Sequence, residues 1–425
     1  MLQDCREPEP ITIHQAKWVL PITAPVIIQG AVAVAGSRIV AVGPVAAVKN
    51  AIQARVAAAP QRWHDHGEGA ILPALVNTHV HLEFTALAGS IPPQSNLPAW
   101  LRAAMAGRAA LNSEAVVAGI QQGLAELHRY GTGLVGEVSN TGDSLPWLAA
   151  SDVAFHYFYE CLGFDLLQSG PLEVDFPFLA RPEAEVWPVS AAAHAPYSVS
   201  APLCQRLTAW NRARGRPNAV HLAESPEETE FLQQGRGPFR ELLEARGRWY
   251  EGFQPPGCGP AQYLEQLGFW QHPSLAVHGV YLSPAERELL ARRGVFLALC
   301  PRSNLHTGVG LPDLLALRAA GVKLTLGTDS RASTADMNLF QDMRLLQEAF
   351  PAVPTAELLA MATWHGAQAL GRHEEFGSLK PGARAALLFV PIPAGTEFWS
   401  GLLAAGAQGE ISWLNSHGRE KHHGT

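Results

Sequence analysis

The sequence predicts an α/β protein whose main body is a (β/α)8 TIM-like barrel. From Leu72 onward, short apolar runs alternate with longer helical patterns, and eight such runs can be counted. This alternation is typical of βαβ units that build a parallel sheet. Titratable residues also stand near the C-terminal ends of several runs, where barrel enzymes place their sites. By count alone, an open doubly wound sheet remains an alternative.

The strand-like runs follow one another at regular intervals. In chain order they are ALVNTHVH from Ala74, GLVGEVSN from Gly133, VAFHYFYECLG from Val153, EVWPVSAAAHAP from Glu185, NAVHLAES from Asn218, LAVHGVYL from Leu275, VFLALCPRSN from Val295 and VKLTLGTDS from Val322. The helical pattern SEAVVAGIQQGLAELHRYG predicts an N-cap at Ser113 and a stop at Gly131. The long stretch 225–271 predicts a helix and an irregular loop over the barrel mouth.

Both chain ends carry β patterns without helical partners. Residues 11–70 contain KWVLPI, PVIIQGAVAVAG and SRIVAVG, and GSLKPGARAALLFVP follows Phe376. Chain ends often lie close together in space. We therefore predict a small composite β-sandwich domain from residues 1–70 and 375–425, beside a barrel domain of residues 71–374.

Composition excludes several kinds of partner. The chain has 425 residues, a formal net charge of −7 and no dense Lys/Arg run, which argues against a nucleic-acid partner. No apolar stretch reaches the roughly 20 residues of a membrane span. The polar, acidic first residues do not resemble a signal peptide, so a cytoplasmic protein is expected. The scattered cysteines predict reduced thiols: Cys5, Cys161, Cys204, Cys258 and Cys300.

Five polar residues in the barrel strands predict a metal site. His79 and His81 are two apart at the end of the first strand, so both side chains face the same way. His221 lies in the fifth run, His278 in the sixth and Asp329 at the end of the eighth. Any one of them alone is more often a satisfied core residue. Three imidazoles and a carboxylate together suit Zn²⁺ or Fe²⁺ and leave a position for water.

The strings NTHVHLE, HLAES, VHGVYL and GTDS, in this order, resemble the amidohydrolase superfamily over nearly the whole chain. The resemblance implies that Glu224 shuttles protons, that His278 orients the attacking water and that Asp329 takes a proton from it. It also implies the metal ligands, which are His79, His81, His221 and Asp329.

One divalent metal is the better expectation. Binuclear relatives generally need a carboxylated lysine on the fourth strand, and no lysine of this chain lies between the first and the seventh strand. A bridging Glu137 or Glu160 is the weaker alternative. Zn²⁺ is expected first and Fe²⁺ second. A single metal favours deaminases within the superfamily, and the other zinc deaminase scaffold is excluded because no PCxxC occurs.

The strings THVHLEFTAL, HLAESPEETEF and CPRSNLHTGVG resemble the methylthioadenosine/S-adenosylhomocysteine deaminase group, most of all its aminodeoxyfutalosine deaminase branch. The resemblance implies hydrolytic deamination of an adenine nucleoside, and a homodimer is a further expectation. Arg302 could clamp a substrate carboxylate, but a salt bridge within the barrel rim explains it equally well. The expected substrate-binding residues are Glu83, Glu160, His194, Arg302 and Ser303.

Two other functions remain open. One is hydrolysis of another C–N or C–Cl bond on a heteroaromatic ring, as in guanine or triazine hydrolases. The other is a non-catalytic barrel that has lost its metal. The second ranks last because the set of expected ligands is intact.

Overall fold

A computed structural model describes residues 10–55 and 60–414 of the chain. Cys5 lies outside these residues. The strands in this part are β1 (Ile11–Val19), β2 (Ile27–Ala35), β3 (Arg38–Pro44), β4 (Gln61–Asp65), β5 (Gly69–Pro73), β6 (Leu75–Val80), β7 (Thr132–Ser139), β8 (Ala154–Cys161), β9 (Val189–Ala193), β10 (Asn218–Leu222), β11 (Ser274–His278), β12 (Phe296–Leu299), β13 (Lys323–Leu326), β14 (Leu387–Pro391) and β15 (Ser412–Trp413).

Helices connect most of these strands. They are α1 (Val45–Arg55), α2 (Leu97–Ala110), α3 (Ser113–Arg129), α4 (Leu145–Ala150), α5 (Leu172–Asp175), α6 (Pro182–Val186), α7 (Ala201–Ala213), α8 (Pro226–Gln234), α9 (Pro238–Ala245), α10 (Pro260–Gln266), α11 (Pro284–Arg293), α12 (Pro301–His306), α13 (Leu314–Ala319), α14 (Leu339–Ala349), α15 (Thr355–Met361), α16 (Trp364–Ala369) and α17 (Phe398–Gln408). Short 3₁₀ helices cover Leu82–Leu87, Pro177–Ala180 and Phe269–Gln271.

The eight predicted barrel strands all form, and they lie in chain order from β6 to β13 with every pair parallel. The barrel prediction is confirmed. The fourth strand begins later than its apolar run, at Val189, because Pro182–Val186 form α6. Strands β6, β7, β9, β10 and β11 are buried along their whole length, as expected where helices cover a parallel sheet.

Two predictions about the connections have different outcomes. Helix α3 begins one residue away from the predicted cap, because the side chain of Asn112, and not that of Ser113, accepts a hydrogen bond from the Ala115 amide (2.8 Å). Gly131 follows the helix with a φ of 78°, in agreement with the predicted stop. The stretch 225–271 holds α8, α9 and α10, and Phe239 and Leu242 of α9 line the cavity at the barrel mouth.

A second sheet combines both chain ends, as predicted. Its order is β15-β14-β5-β1-β2-β3, and β4 also pairs with β1. Strand β5 belongs to this sheet and β6 to the barrel, so the chain passes from one to the other at Ala74. Helix α17 returns to the barrel, where Asn338 Nδ2 donates to the carbonyl oxygen of Gly406 (2.9 Å). The sandwich form and the exact domain boundaries stay predictions.

Of the five cysteines, Cys161, Cys204, Cys258 and Cys300 fall within the described residues, and none of these four forms a disulfide. Among the helices of residues 10–55 and 60–414, none is both long enough and apolar enough to cross a bilayer.

The first and last barrel strands are joined by contacts that also position polar residues. Thr78 Oγ1 donates to the carbonyl oxygen of Leu326 (2.8 Å), and the amide of Asp329 donates to the carbonyl oxygen of His79 (3.0 Å). Gly327 lies against His79 between these two contacts. A Cβ atom at residue 327 would lie 2.8 Å from the Cβ of His79 and 2.9 Å from its carbonyl oxygen. The barrel therefore closes tightly only with glycine here.

We expect Gly327→Ala to lower the free energy of unfolding by about 1–3 kcal/mol, because the added methyl group forces His79 and the strand behind it apart. Chemical denaturation measures this change. Gly43→Ala is the matched control, since its Cβ would meet nothing nearer than 3.7 Å. Equal stability of the two variants would contradict the tight closure.

Candidate metal centre

His79 and His81 face Asp329 across the contact between the first and last barrel strands. His79 lies in β6, and His81 follows the last residue of that strand. Their Nε2 atoms are 3.2 Å apart, and each lies 3.7 Å from Oδ1 of Asp329. Three ligand-type atoms thus face one point at the C-terminal end of the barrel.

His221 joins this group from β10. Its Nδ1 donates to the carbonyl oxygen of His194 (2.7 Å), so the proton is on Nδ1 and Nε2 keeps its lone pair. Its ring stacks on that of His81 with centroids 5.6 Å apart and meets the edge of the His79 ring at 4.9 Å. The ligand atoms of His79, His221 and His278 all lie within 4.8 Å of one another.

The chemistry of these donors fits a divalent metal. Burial lowers the pKa of His81 to about 3, so its imidazole is neutral near pH 7 and offers a lone pair. Burial raises the pKa of Asp329, but the neighbouring histidines, His79 first, outweigh this effect and hold that pKa well below its usual range. Neutral imidazoles with one ionised carboxylate are the donor set of zinc-type sites. The ligand roles of these residues stay a prediction.

Strained backbone supports the site. Ala223, His278 and Asp329 have φ angles of 48°, 74° and 60°, a region that non-glycine residues rarely adopt. All three follow or end barrel strands beside the ligand group. Strain of this kind persists only where the surrounding structure enforces it, and it concentrates at functional sites.

Side chains behind the ligand group fix its orientation. Ser303 Oγ donates to Oδ2 of Asp329 (2.6 Å), which turns Oδ1 toward the histidines. His278 Nδ1 donates to Oδ1 of Asn304 (2.8 Å), which leaves Nε2 directed into the site. Sequence reasoning gave Asn304 no role, because nothing in CPRSN indicates which side chain faces β11.

Glu224 is held beside His278, with 3.6 Å between its Oε2 and the histidine Nε2. Burial, with help from the charge of Asp329, raises the pKa of Glu224 well above its usual value, which favours the protonated carboxyl group. Glu228 accepts hydrogen bonds from the amides of Ala223 (3.1 Å) and Glu224 (3.0 Å). Sequence reasoning missed Glu228, although an acidic residue in the first turn of a helix was a usable signal.

Two of the predicted substrate-binding residues line the cavity. Glu160 lies 3.6 Å from His221 Nδ1, and burial raises its pKa to about 8. It also forms a ligand-type group with His81 and His221. His194 Nδ1 is 2.6 Å from Ser198 Oγ, and burial lowers its pKa to about 4. Glu137, the other residue of the weaker bridging alternative, accepts the Leu82 amide with both oxygens at 3.2 Å.

The substrate-clamp interpretation of Arg302 is contradicted. Its Nε and Nη2 atoms bind Oδ2 of Asp342 (3.0 and 2.9 Å), and its Nη1 binds Oδ1 of Asp336 (2.7 Å). The side chain is mostly buried and is not among the residues that line the cavity. Because these donors are already bound, the guanidinium has few donors left for a substrate. The salt-bridge alternative therefore describes Arg302.

Glu83 and Ser303 are also absent from the cavity lining, contrary to expectation. Oε1 of Glu83 accepts hydrogen bonds from Thr141 Oγ1 (2.6 Å), the Asp143 amide (3.1 Å) and the hydroxyl of Ser139. It therefore orders the loop after β7. Ser303 instead donates its hydrogen bond to Oδ2 of Asp329, as described above.

The cavity itself has a volume of about 440 Å³, within the range of small-molecule sites. Its buried floor carries polar groups, and most of its wall is apolar and comes from α2 and α9. The floor residues are His81, Glu160, His221, Glu224, His278 and Asp329. The wall includes Trp100, Leu101, Phe164, Tyr197, Phe239 and Leu242.

Comparison with known proteins agrees with this geometry. Residues 70–404 match the amidohydrolase family. The chain belongs to the amidohydrolase family. This membership confirms the predicted superfamily, and this amidohydrolase is a hydrolase that acts on carbon–nitrogen bonds.

Individual relatives show which members of the family this chain resembles. The aminodeoxyfutalosine deaminase of Deinococcus radiodurans is 28% identical over 75% of this chain and 77% of its own length. The 5-methylthioadenosine/S-adenosylhomocysteine deaminase of Nitratidesulfovibrio vulgaris (Miyazaki F) is 30% identical over 87% of this chain and 81% of its own. Among solved structures, an adenosine deaminase from Xanthomonas campestris with bound zinc superimposes with a TM-score of 0.72, at 27% identity, over 95% of this chain and 91% of that one.

We expect Ser303→Ala to weaken metal affinity about 10- to 100-fold, because Asp329 loses the hydrogen bond that turns Oδ1 toward the histidines. Competition with a chromogenic chelator measures the affinity. Ser151→Ala, which removes a hydroxyl bound to the carbonyl oxygen of Leu148, is the matched control. An unchanged affinity in Ser303→Ala would show that Asp329 needs no support from behind.

Proposed function

We propose that this amidohydrolase removes the amino group of an adenine nucleoside by hydrolysis, releasing ammonia and the inosine-type product. The observation that carries the proposal is the pair Glu224 and Asp329. Both carboxyl groups face the same buried floor, yet their environments push their pKa values in opposite directions. Such a separation supports Glu224 as the acid and Asp329 as the base.

The reaction needs an activated water and a proton for the ring. When bound, a divalent metal lowers the pKa of a water from 15.7 to about 7, so that hydroxide is available at neutral pH. Asp329 accepts the proton that the water gives up. Glu224 donates its proton to the ring nitrogen next to the attacked carbon, so negative charge does not accumulate there.

His278 holds the attacking oxygen on its path, because Asn304 fixes its ring and leaves Nε2 facing the site. The new carbon–oxygen bond makes the attacked carbon tetrahedral. The carbon–nitrogen bond to the amino group then breaks, and the leaving group takes up the proton held by Asp329 and departs as ammonia. The hydroxyl proton that remains on the attacked carbon passes to Glu224, which gives the carbonyl of the inosine-type product and restores the acid. The apolar wall limits access of bulk water, which strengthens these interactions.

The choice of substrate and metal rests on the relatives. The two relatives described above are named as deaminases of aminodeoxyfutalosine and of 5-methylthioadenosine or S-adenosylhomocysteine. The solved adenosine deaminase holds bound zinc. Zinc is therefore the proposed metal, one per chain, and aminodeoxyfutalosine is the first substrate to test. A homodimer, a cytoplasmic location and a place in menaquinone biosynthesis belong to the same proposal.

Ammonia release from a panel of compounds tests the function. The panel holds adenosine, methylthioadenosine, S-adenosylhomocysteine and aminodeoxyfutalosine, with guanine and a chlorotriazine as outliers. We expect turnover of at least one adenine nucleoside, and fastest turnover of aminodeoxyfutalosine. Turnover of an outlier alone would replace this proposal with the heteroaromatic alternative, and no turnover by the metal-loaded protein would favour the non-catalytic barrel.

The same assay tests the proton donor. Glu224→Gln keeps the shape of the side chain but cannot give up a proton, so we expect kcat to fall about 10²- to 10⁴-fold while metal content stays unchanged. Glu244→Gln, on the exposed face of α9, is the matched control. Near-normal kcat in Glu224→Gln would remove Glu224 from the mechanism.

A further inference from the structure

The charge of the lining side chains differs between the floor of the cavity and its open side. The floor carries the acidic side chains of Glu160, Glu224 and Asp329, all buried. The cationic side chains of the lining, histidines apart, are Arg246 and Arg248, and both are exposed. A ligand that reaches from floor to rim therefore meets an acidic, metal-type site at one end and guanidinium groups at the other.

The two arginines differ in what they bind. Arg248 Nη1 is bound to Oδ2 of Asp165 (2.9 Å). The side chain of Arg246 has no hydrogen bond and no ion pair to any residue in 10–55 or 60–414, although its backbone amide donates to the carbonyl oxygen of Leu242 (3.1 Å). Neighbouring arginines of the same segment are paired, since Arg236 binds Glu230 (3.0 Å) and Arg240 binds Glu244 (2.7 Å).

Arg246 follows directly after α9, the helix that supplies Phe239, Leu242 and Leu243 to the wall. Phe239 stacks on Tyr197 with ring centroids 3.7 Å apart. This wall offers aromatic and aliphatic surface, but few groups that could hydrogen-bond a sugar-like or polar extension. Its natural occupant is an apolar, flat group, which gains from offset stacking and edge contacts with aromatic side chains.

We propose that Arg246 binds a carboxylate carried by an aromatic substituent on the ribose of the substrate, and that it thereby sets substrate specificity. The inference rests on the proposed nucleoside deaminase function. With the base on the floor, the ribose substituent extends along the wall toward the rim. A guanidinium binds a carboxylate through two parallel hydrogen bonds. Arg246 takes the role that Arg302 cannot fill, because the donors of Arg302 are occupied by Asp336 and Asp342.

Steady-state kinetics of Arg246→Met tests this role with two substrates. One is aminodeoxyfutalosine, which carries a carboxyphenyl group, and the other is its neutral carboxamide. We expect KM for the carboxylate to rise about 10-fold, the lower end for a charge-assisted contact because the rim is exposed to solvent. We expect KM for the carboxamide and kcat for both substrates to change less than about 2-fold. Arg246→Lys should recover part of the loss, since it keeps the charge but not the paired donors.

Arg236→Met is the matched control, because Arg236 is an exposed arginine of the same segment that does not line the cavity. It should leave both KM values unchanged. An equal rise for both substrates in Arg246→Met, no rise at all, or the same rise in Arg236→Met would overturn the role of Arg246 while leaving the deaminase intact. Failure of the wild-type protein to deaminate any adenine nucleoside would overturn the proposed function, and this inference with it.

Discussion

The site depends on one contact, the closure of the barrel between its first and last strands. The amide of Asp329 donates to the carbonyl oxygen of His79, and Gly327 lets the two backbones approach. This contact brings together residues 250 positions apart in the sequence, so that Nε2 of His79 lies 3.7 Å from Oδ1 of Asp329. The histidine from β10 then completes the group. Without the closure, the four donors would be isolated polar residues in apolar strands, each costly to bury.

Burial at this point accounts for much of the chemistry. The same low-dielectric surroundings lower the pKa of His81 to about 3 and raise the pKa of Glu224, while the neighbouring histidines, His79 first, lower the pKa of Asp329. Supporting residues hold this arrangement in place: Ser303 behind Asp329, Asn304 behind His278, and Glu228 behind Glu224. The open side of the cavity carries an apolar wall and the exposed side chains of Arg246 and Arg248.

The sequence predicted the barrel and the convergence of its donors because both follow from periodicity. Alternating runs define βαβ units, and residues at the ends of parallel strands meet at one face. Periodicity could not predict which loop side chains face the cavity. Arg302 and Ser303 stand next to each other in CPRSN, yet one is bound by Asp336 and Asp342 and the other by Asp329. Those partners lie 26 to 40 positions away along the chain. Arg246 was missed for the same reason, since its place at the cavity rim depends on the fold of the segment after β10.

X-ray absorption spectroscopy of the zinc-loaded protein tests the central claim, that one metal is held by His79 and His81 at the end of β6, His221 in β10 and Asp329 in the loop after β13. The account predicts about one zinc per chain, a first shell of nitrogen and oxygen with imidazole scattering, and no metal–metal vector. Sulfur in the first shell would contradict the ligand set. A second zinc with a metal–metal vector of roughly 3.5–4 Å would instead establish the bridged site that Glu160 could complete.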